Sequence, residues 1–165
     1  MSYYYNGSVN WTDPTHNETP SFNAKCIILC QPGLFCSDNT YNPMWKTLSL
    51  MTNDLPVYLS HVVLKESNIK NMTKERIMGS ANIDNKILFI KTLFKDVIGH
   101  IDDQVNELKQ IVNRVKELFP DIPIMLIGYS KGGLVNMRYV TKYKNDVKKV
   151  ISIGTPYENS LIQFG

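Results

Sequence analysis

Apolar residues in this chain gather into short continuous runs separated by amphipathic stretches. Residues 24–30, Ala-Lys-Cys-Ile-Ile-Leu-Cys, form the first run. A run of that length suits a parallel strand buried on both faces. Gln31-Pro32-Gly33-Leu34-Phe35 then breaks it into a loop. The spacing predicts a helix near Pro43–Met51, with Trp45, Leu48 and Met51 at helical intervals. Leu55–Leu64 and Ile87–Phe94 are both strand candidates, and the pattern does not say which of them pairs in a central sheet. The polar segment Lys65–Lys86 between them reads as an insertion. Ile101, Val105, Leu108, Val112, Val115 and Phe119 recur every three to four residues, which predicts an amphipathic helix. Asp102 and Asp103 suit the positive end of its dipole, and Pro120 ends it. Residues 124–127 and 150–153 read as further strands, and 131–143 as the helix between them. Residues 1–23 are polar and aromatic and read as a strand or two followed by a loop. Strands alternating with helices imply an α/β fold: a single domain over residues 1–165, its mostly parallel sheet flanked by helices.

Composition narrows the classes. The 165 residues are 43% hydrophobic and 20% charged, with a net charge of +3. That balance excludes a strongly basic nucleic-acid binder. Lys144, Lys148 and Lys149 read as a solvated helix end. Cys26, Cys30 and Cys36 are odd in number and clustered, unlike a disulfide framework, and no fourth metal ligand stands at suitable spacing. The apolar runs fall far below the roughly 20 residues that span a bilayer. The first residues lack the basic start and apolar stretch of a signal peptide. The expectation is a cytoplasmic location, with the sequons at Asn6, Asn10, Asn17 and Asn71 read as loop composition.

The chemistry is carried by Gly128-Tyr129-Ser130-Lys131-Gly132, which fits G-x-S-x-G between an apolar strand and an amphipathic helix. Turning from strand to helix in so few residues forces the serine into strained backbone angles. Gly128 and Gly132 let neighbouring backbone pass closely. The helix beginning there points free N–H groups at developing negative charge. The bland alternative is a turn that merely joins strand to helix. A phosphate loop fits poorly, because the lysine precedes the glycines instead of following them.

In three places the chain resembles the α/β-hydrolases, within their lipase and esterase branch. Residues 28–35 resemble the strand and His-Gly loop that supplies an oxyanion N–H. Residues 127–133 resemble the lipase nucleophile elbow, and 155–160 the T-P-H-x-G-S stretch after the next strand. The resemblance implies Ser130 as nucleophile, with the oxyanion held by the N–H of Lys131 and that of Leu34 or Phe35. Pro32 stands in place of the loop histidine, Tyr129 in place of the histidine before the serine, and Lys131 in place of methionine. The Lys131 side chain is expected in solvent, or against an acidic substrate group.

The same resemblance implies an acid and then a histidine after the serine. No histidine follows Ser130; His16, His61 and His100 all precede it. The acids that follow are Asp146, expected at the far end of the sheet, and Glu158, expected on the catalytic side. Three readings follow, in this order: a truncated domain, a degenerate inactive one, or an unusual base from His61 or His100. Truncation predicts an uncovered sheet edge, with poor stability or self-association. The expected activity is hydrolysis of a small-molecule or lipid-like carboxylic ester, without metal or organic cofactor. Ile87–Phe94 is a core strand or else an apolar substrate contact. The alternatives are a non-catalytic interaction protein and an acyltransferase.

Overall fold

Among the described residues five strands join in one sheet in which every pairing is parallel. The computed structural model describes residues 23–36, 39–50 and 56–157. In chain order the elements are β1 (Cys26–Gln31), α1 (Asn42–Leu50), β2 (Val57–Leu64), α2 (Glu66–Ile69), α3 (Lys74–Met78), β3 (Ile87–Thr92), α4 (Ile101–Leu118), β4 (Ile124–Tyr129), α5 (Lys131–Lys142) and β5 (Lys149–Ile153). Across the sheet the strands run β2-β3-β1-β4-β5.

That order fixes where the helices lie. From β1 the chain steps in one direction to β2; from β2 onward it steps the other way, through β3 and β4 to β5. Right-handed crossovers therefore put α1 on one face of the sheet and α2 to α5 on the other. The buried clusters agree. Ile27, Leu29, Leu88, Ile90 and Leu126 pack with Val105, Leu108, Val112, Val135 and Tyr139. Their neighbours along the strands, Ile28, Cys30, Phe89 and Ile127, form the opposite core with Tyr41 and Met44. β1 is buried at every position, the physical reason its first five residues are apolar.

Both strand candidates enter the sheet, with β3 between β1 and β2. The segment between them is more than a polar insertion. Ile69, Met72, Ile77, Met78 and Ile83 are buried in the larger core, so residues 65–86 form the crossover from β2 to β3. Its apolar residues are too sparse to show a clean period, which is why its two short helices escape a periodicity reading. The helix at 42–50 is present; Met51 lies outside the described residues, as do residues 1–22. The other elements start and end within two residues of their predicted limits.

β5 is the outermost described strand on its side, and its residues alternate between half-buried and exposed. Ile151 and Ile153 are each 41% exposed, while Val150 packs on the larger core. Among the described residues no helix is long and apolar enough to cross a membrane.

Candidate active site

Parallel pairing brings all five carboxyl ends to one edge of the sheet. β1 and β4 are neighbours there, and they send their chains to helices on opposite faces. Such a divergence opens a crevice at the strand ends, the usual place for a ligand in an open α/β sheet. Ser130 follows β4 directly and precedes α5 directly. The entire turn from strand to helix is therefore made at one residue. Its φ is 50° and ψ −120°, an arrangement that costs a non-glycine residue about 1–3 kcal/mol.

The surroundings hold that strain in place. The Ser130 amide donates to the carbonyl of Ile153 at 2.9 Å, extending the β4–β5 ladder by one residue. The Ser130 carbonyl accepts from the Gly133 amide at 3.0 Å and from the Thr155 hydroxyl at 3.0 Å. A side chain at Gly128 would put its Cβ 2.4 Å from the Gly133 nitrogen, and one at Gly132 would meet the carbonyl oxygen of Gln31 at 2.5 Å. Both elbow glycines are thus spaces filled by neighbouring backbone. The loop after β1 closes on the serine in the same way. A Cβ at Gly33 would lie 2.8 Å from that of Ser130. Beneath the junction, buried Tyr41 donates its hydroxyl to the Gln31 carbonyl and lies 3.4 Å from that of Ile127, bracing the ends of β1 and β4 together. Desolvation is the main cause that pushes its phenol far above the usual range.

Ser130 is half-buried, with Tyr129 exposed before it and Lys131 at the first position of α5. The N–H groups of a helix's first turn lack intrahelical acceptors, which is what an oxyanion donor needs. Leu34 is half-buried in the loop that touches Ser130; Phe35 beside it is 83% exposed and holds a φ of 54°. The Lys131 side chain corrects the expectation of a solvated lysine. It is 2% exposed, and its ammonium donates to the carbonyls of Val97, at 3.1 Å, and Gly99. Burial lowers its pKa, partly offset by Asp96.

The partners expected of a serine nucleophile are not gathered around it. Among the described residues none hydrogen-bonds the Ser130 hydroxyl. His61 is exposed on β2, three strands from β4, or about 14 Å at ordinary strand spacing. His100 is exposed at the N-cap of α4, on the same sheet edge as Ser130. It lines a shallow cleft of about 560 Å³ with Leu134 and the ion-paired Asp102 and Arg138. Asp146 sits before β5 at the opposite edge, as expected. It is bonded there to Lys109, Lys116 and Tyr139. Burial pushes its carboxyl up, but these donors outweigh that and hold it at about 2. It therefore serves the joint between α4, α5 and β5. Glu158 and His16 lie outside the described residues.

Cys26, Cys30 and Cys36 are all free thiols, the first two buried; desolvation pushes Cys30 far up, so it is an inert apolar residue. Among the described residues no group of three or more His, Cys, Asp or Glu is placed to hold a metal ion. Sequence reasoning missed two supports, Tyr41 and the Thr155 hydroxyl. Thr155 carried a signal, since it opens the Thr-Pro stretch after β5; Tyr41 carried none, because its partners are backbone carbonyls 10 and 86 residues away.

Comparison with known proteins bears on the fold. The family model described as serine aminopeptidase, S33, matches residues 95–162, which is less than half of the chain. No curated protein matches the chain. Among solved structures, the product of the gene lin2722 from Listeria innocua superposes with a TM-score of 0.61 at 20% identity. The match covers 82% of this chain and 53% of that one, so the chain spans about half the length of its structural neighbour. Together the family match over residues 95–162 and the shared architecture support an α/β-hydrolase type of fold for this chain.

Proposed function

We propose that the chain carries the nucleophile of a serine-dependent acyl hydrolase acting on carboxylic esters. The observation that carries this is Ser130 itself, held at a strained φ of 50° between β4 and α5 with the Gly33 loop against it. A turn that only joined strand to helix would have no reason to keep that strain. Ser130 Oγ attacks the ester carbonyl while its proton passes to a base. The N–H groups of Lys131 and Leu34 hold the resulting oxyanion. The alcohol leaves with a proton, and water then cleaves the acyl-enzyme to release the acid. The base is proposed to come from outside the described residues. No metal or organic cofactor is called for by this chemistry.

A lipid-like acyl group is the favoured substrate. Its support is the exposed apolar set at the carboxyl edge: Phe35, Tyr129, Ile153 and Tyr157. Ile87–Phe94 does not contribute, because Leu88, Phe89, Ile90 and Phe94 are buried in the core. The matched family's description names aminopeptidases, so an amide is the other acyl compound to test. One observation favours a non-catalytic scaffold, namely that no described residue bonds the Ser130 hydroxyl. Turnover of p-nitrophenyl butyrate and of a p-nitroanilide by the chain and by Ser130→Ala separates these readings. Ester turnover that disappears in the variant is expected. Equal turnover by both proteins would overturn the assignment.

A further inference from the structure

We propose that Lys131 is a positioning residue whose side chain clamps the β3–α4 loop against the nucleophile elbow and so fixes one wall of the reaction site. This rests on the acyl-hydrolase reading for its purpose, though the clamp itself does not need it. Lysine is seldom fully buried unless its charge is matched. Here it is 2% exposed, and it immediately follows the nucleophile. Removing an ammonium from water is costly unless its hydrogens find acceptors. Its acceptors are the carbonyls of Val97 and Gly99, in the stretch between β3 and α4. The remaining bonds of that stretch show that it is built as one piece. Asp96 accepts from the Ile98 amide at 2.9 Å, and the Asp96 carbonyl accepts from Gln104 at 2.5 Å. The Lys95 amide donates to Glu107 at 2.9 Å. α4 therefore ties down the beginning of the loop, and Lys131 ties down its end.

The consequence for the site follows from distance. Val97 and Gly99 lie within one lysine side chain of the residue whose amide is the proposed oxyanion donor. The clamped stretch presents Ile98, which is 58% exposed, and leads into His100 at the same sheet edge as Ser130. One residue thus governs both the oxyanion amide, through its backbone, and the adjoining wall, through its side chain. The lowered pKa of the ammonium, caused mainly by burial, fits a group held by bonds and not by solvent. An apolar replacement of similar length would leave two loop carbonyls without their donor, a loss at the stronger end for charge-assisted bonds.

The test compares the full chain with Lys131→Met and Lys131→Arg by amide hydrogen exchange and by the rate at which a fluorophosphonate labels Ser130. In Lys131→Met the amides of residues 97–100 are expected to exchange at least about tenfold faster, with β3 and the later turns of α4 unchanged. Labelling is expected to slow by about tenfold, and Lys131→Arg, which keeps a cation and its donors, restores both in part. Unchanged exchange in the loop of Lys131→Met overturns the clamp. A loosened loop with an unchanged labelling rate overturns the positioning role. If Ser130 of the unaltered chain takes no label, the acyl-hydrolase reading fails, and the exchange arm still decides the clamp. Should Lys131→Met unfold the whole chain, Lys131→Gln is measured in the same way, and protection equal to wild type in that variant counts against a need for the cation.

Discussion

The hydroxyl of Thr155 donates to the carbonyl oxygen of Ser130 across 3.0 Å. The proposed nucleophile's own peptide is thus held by the loop that follows the next strand, 25 residues away. The bond matters because Ser130 occupies backbone angles that a non-glycine residue leaves when it can. Thr155→Val keeps the shape and removes the donor. We expect it to cost about 1 kcal/mol in denaturant unfolding and to slow phosphonylation of Ser130. Thr155→Ser, which keeps the hydroxyl, should recover most of the labelling rate.

Gly132 has no room for a methyl group. Its Cβ would sit 2.5 Å from the Gln31 carbonyl oxygen and 2.6 Å from that of Pro32. Both obstacles are backbone, so neither can rotate aside. Gly132→Ala is expected to destabilise the chain by about 1–3 kcal/mol, measured by urea unfolding. The helix must move off β1, so the proposed oxyanion amide of Lys131 moves with it. Labelling of Ser130 should fall further than the loss of folded protein explains.

Asp146 sets an acid limit on stability. Its carboxyl is lowered from an ordinary 3.8 to about 2, the pull of Lys109, Lys116 and Tyr139 exceeding the opposing effect of burial. A depressed folded value means that stability is fully present above pH 3.8 and is lost as pH falls towards 2. Thermal unfolding from pH 6 down to pH 2 should show that loss, and Asp146→Asn should flatten it. At neutral pH the same variant is expected to cost about 1–3 kcal/mol, because Tyr139 and two lysines lose a charged partner. Asp146 stands at the opposite sheet edge from Ser130, so reactivity per folded molecule should not change.

Tyr41 supplies a test of the brace beneath the site. Tyr41→Phe removes the hydroxyl that spans the Gln31 and Ile127 carbonyls without changing the ring. The expected cost is about 1–2 kcal/mol, because a buried acceptor loses its donor. A variant as stable as wild type in urea would show that the two strand ends need no brace.

The fold was legible wherever hydrophobic spacing was regular. α4 repeats its apolar positions every three to four residues, and β1 is apolar at nearly every position because both of its faces are covered. Ser130 was legible because a single-residue turn between strand and helix constrains its neighbours at fixed spacing. What escaped depends on the third dimension. The order β2-β3-β1-β4-β5 joins strands that are not consecutive, and no local period encodes that. The crossover through residues 65–86 buries only scattered apolar residues. The Lys131 side chain read as a surface lysine because its acceptors, the Val97 and Gly99 carbonyls, lie 34 and 32 residues earlier and carry no residue-specific signal.

Mass mapping of the chain after exposure to a fluorophosphonate tests the central claim most directly. One phosphonyl group is expected, on the peptide that contains Ser130, with none in Ser130→Ala. An unlabelled wild-type chain, or a label that persists in Ser130→Ala, would contradict the assignment of Ser130 as nucleophile.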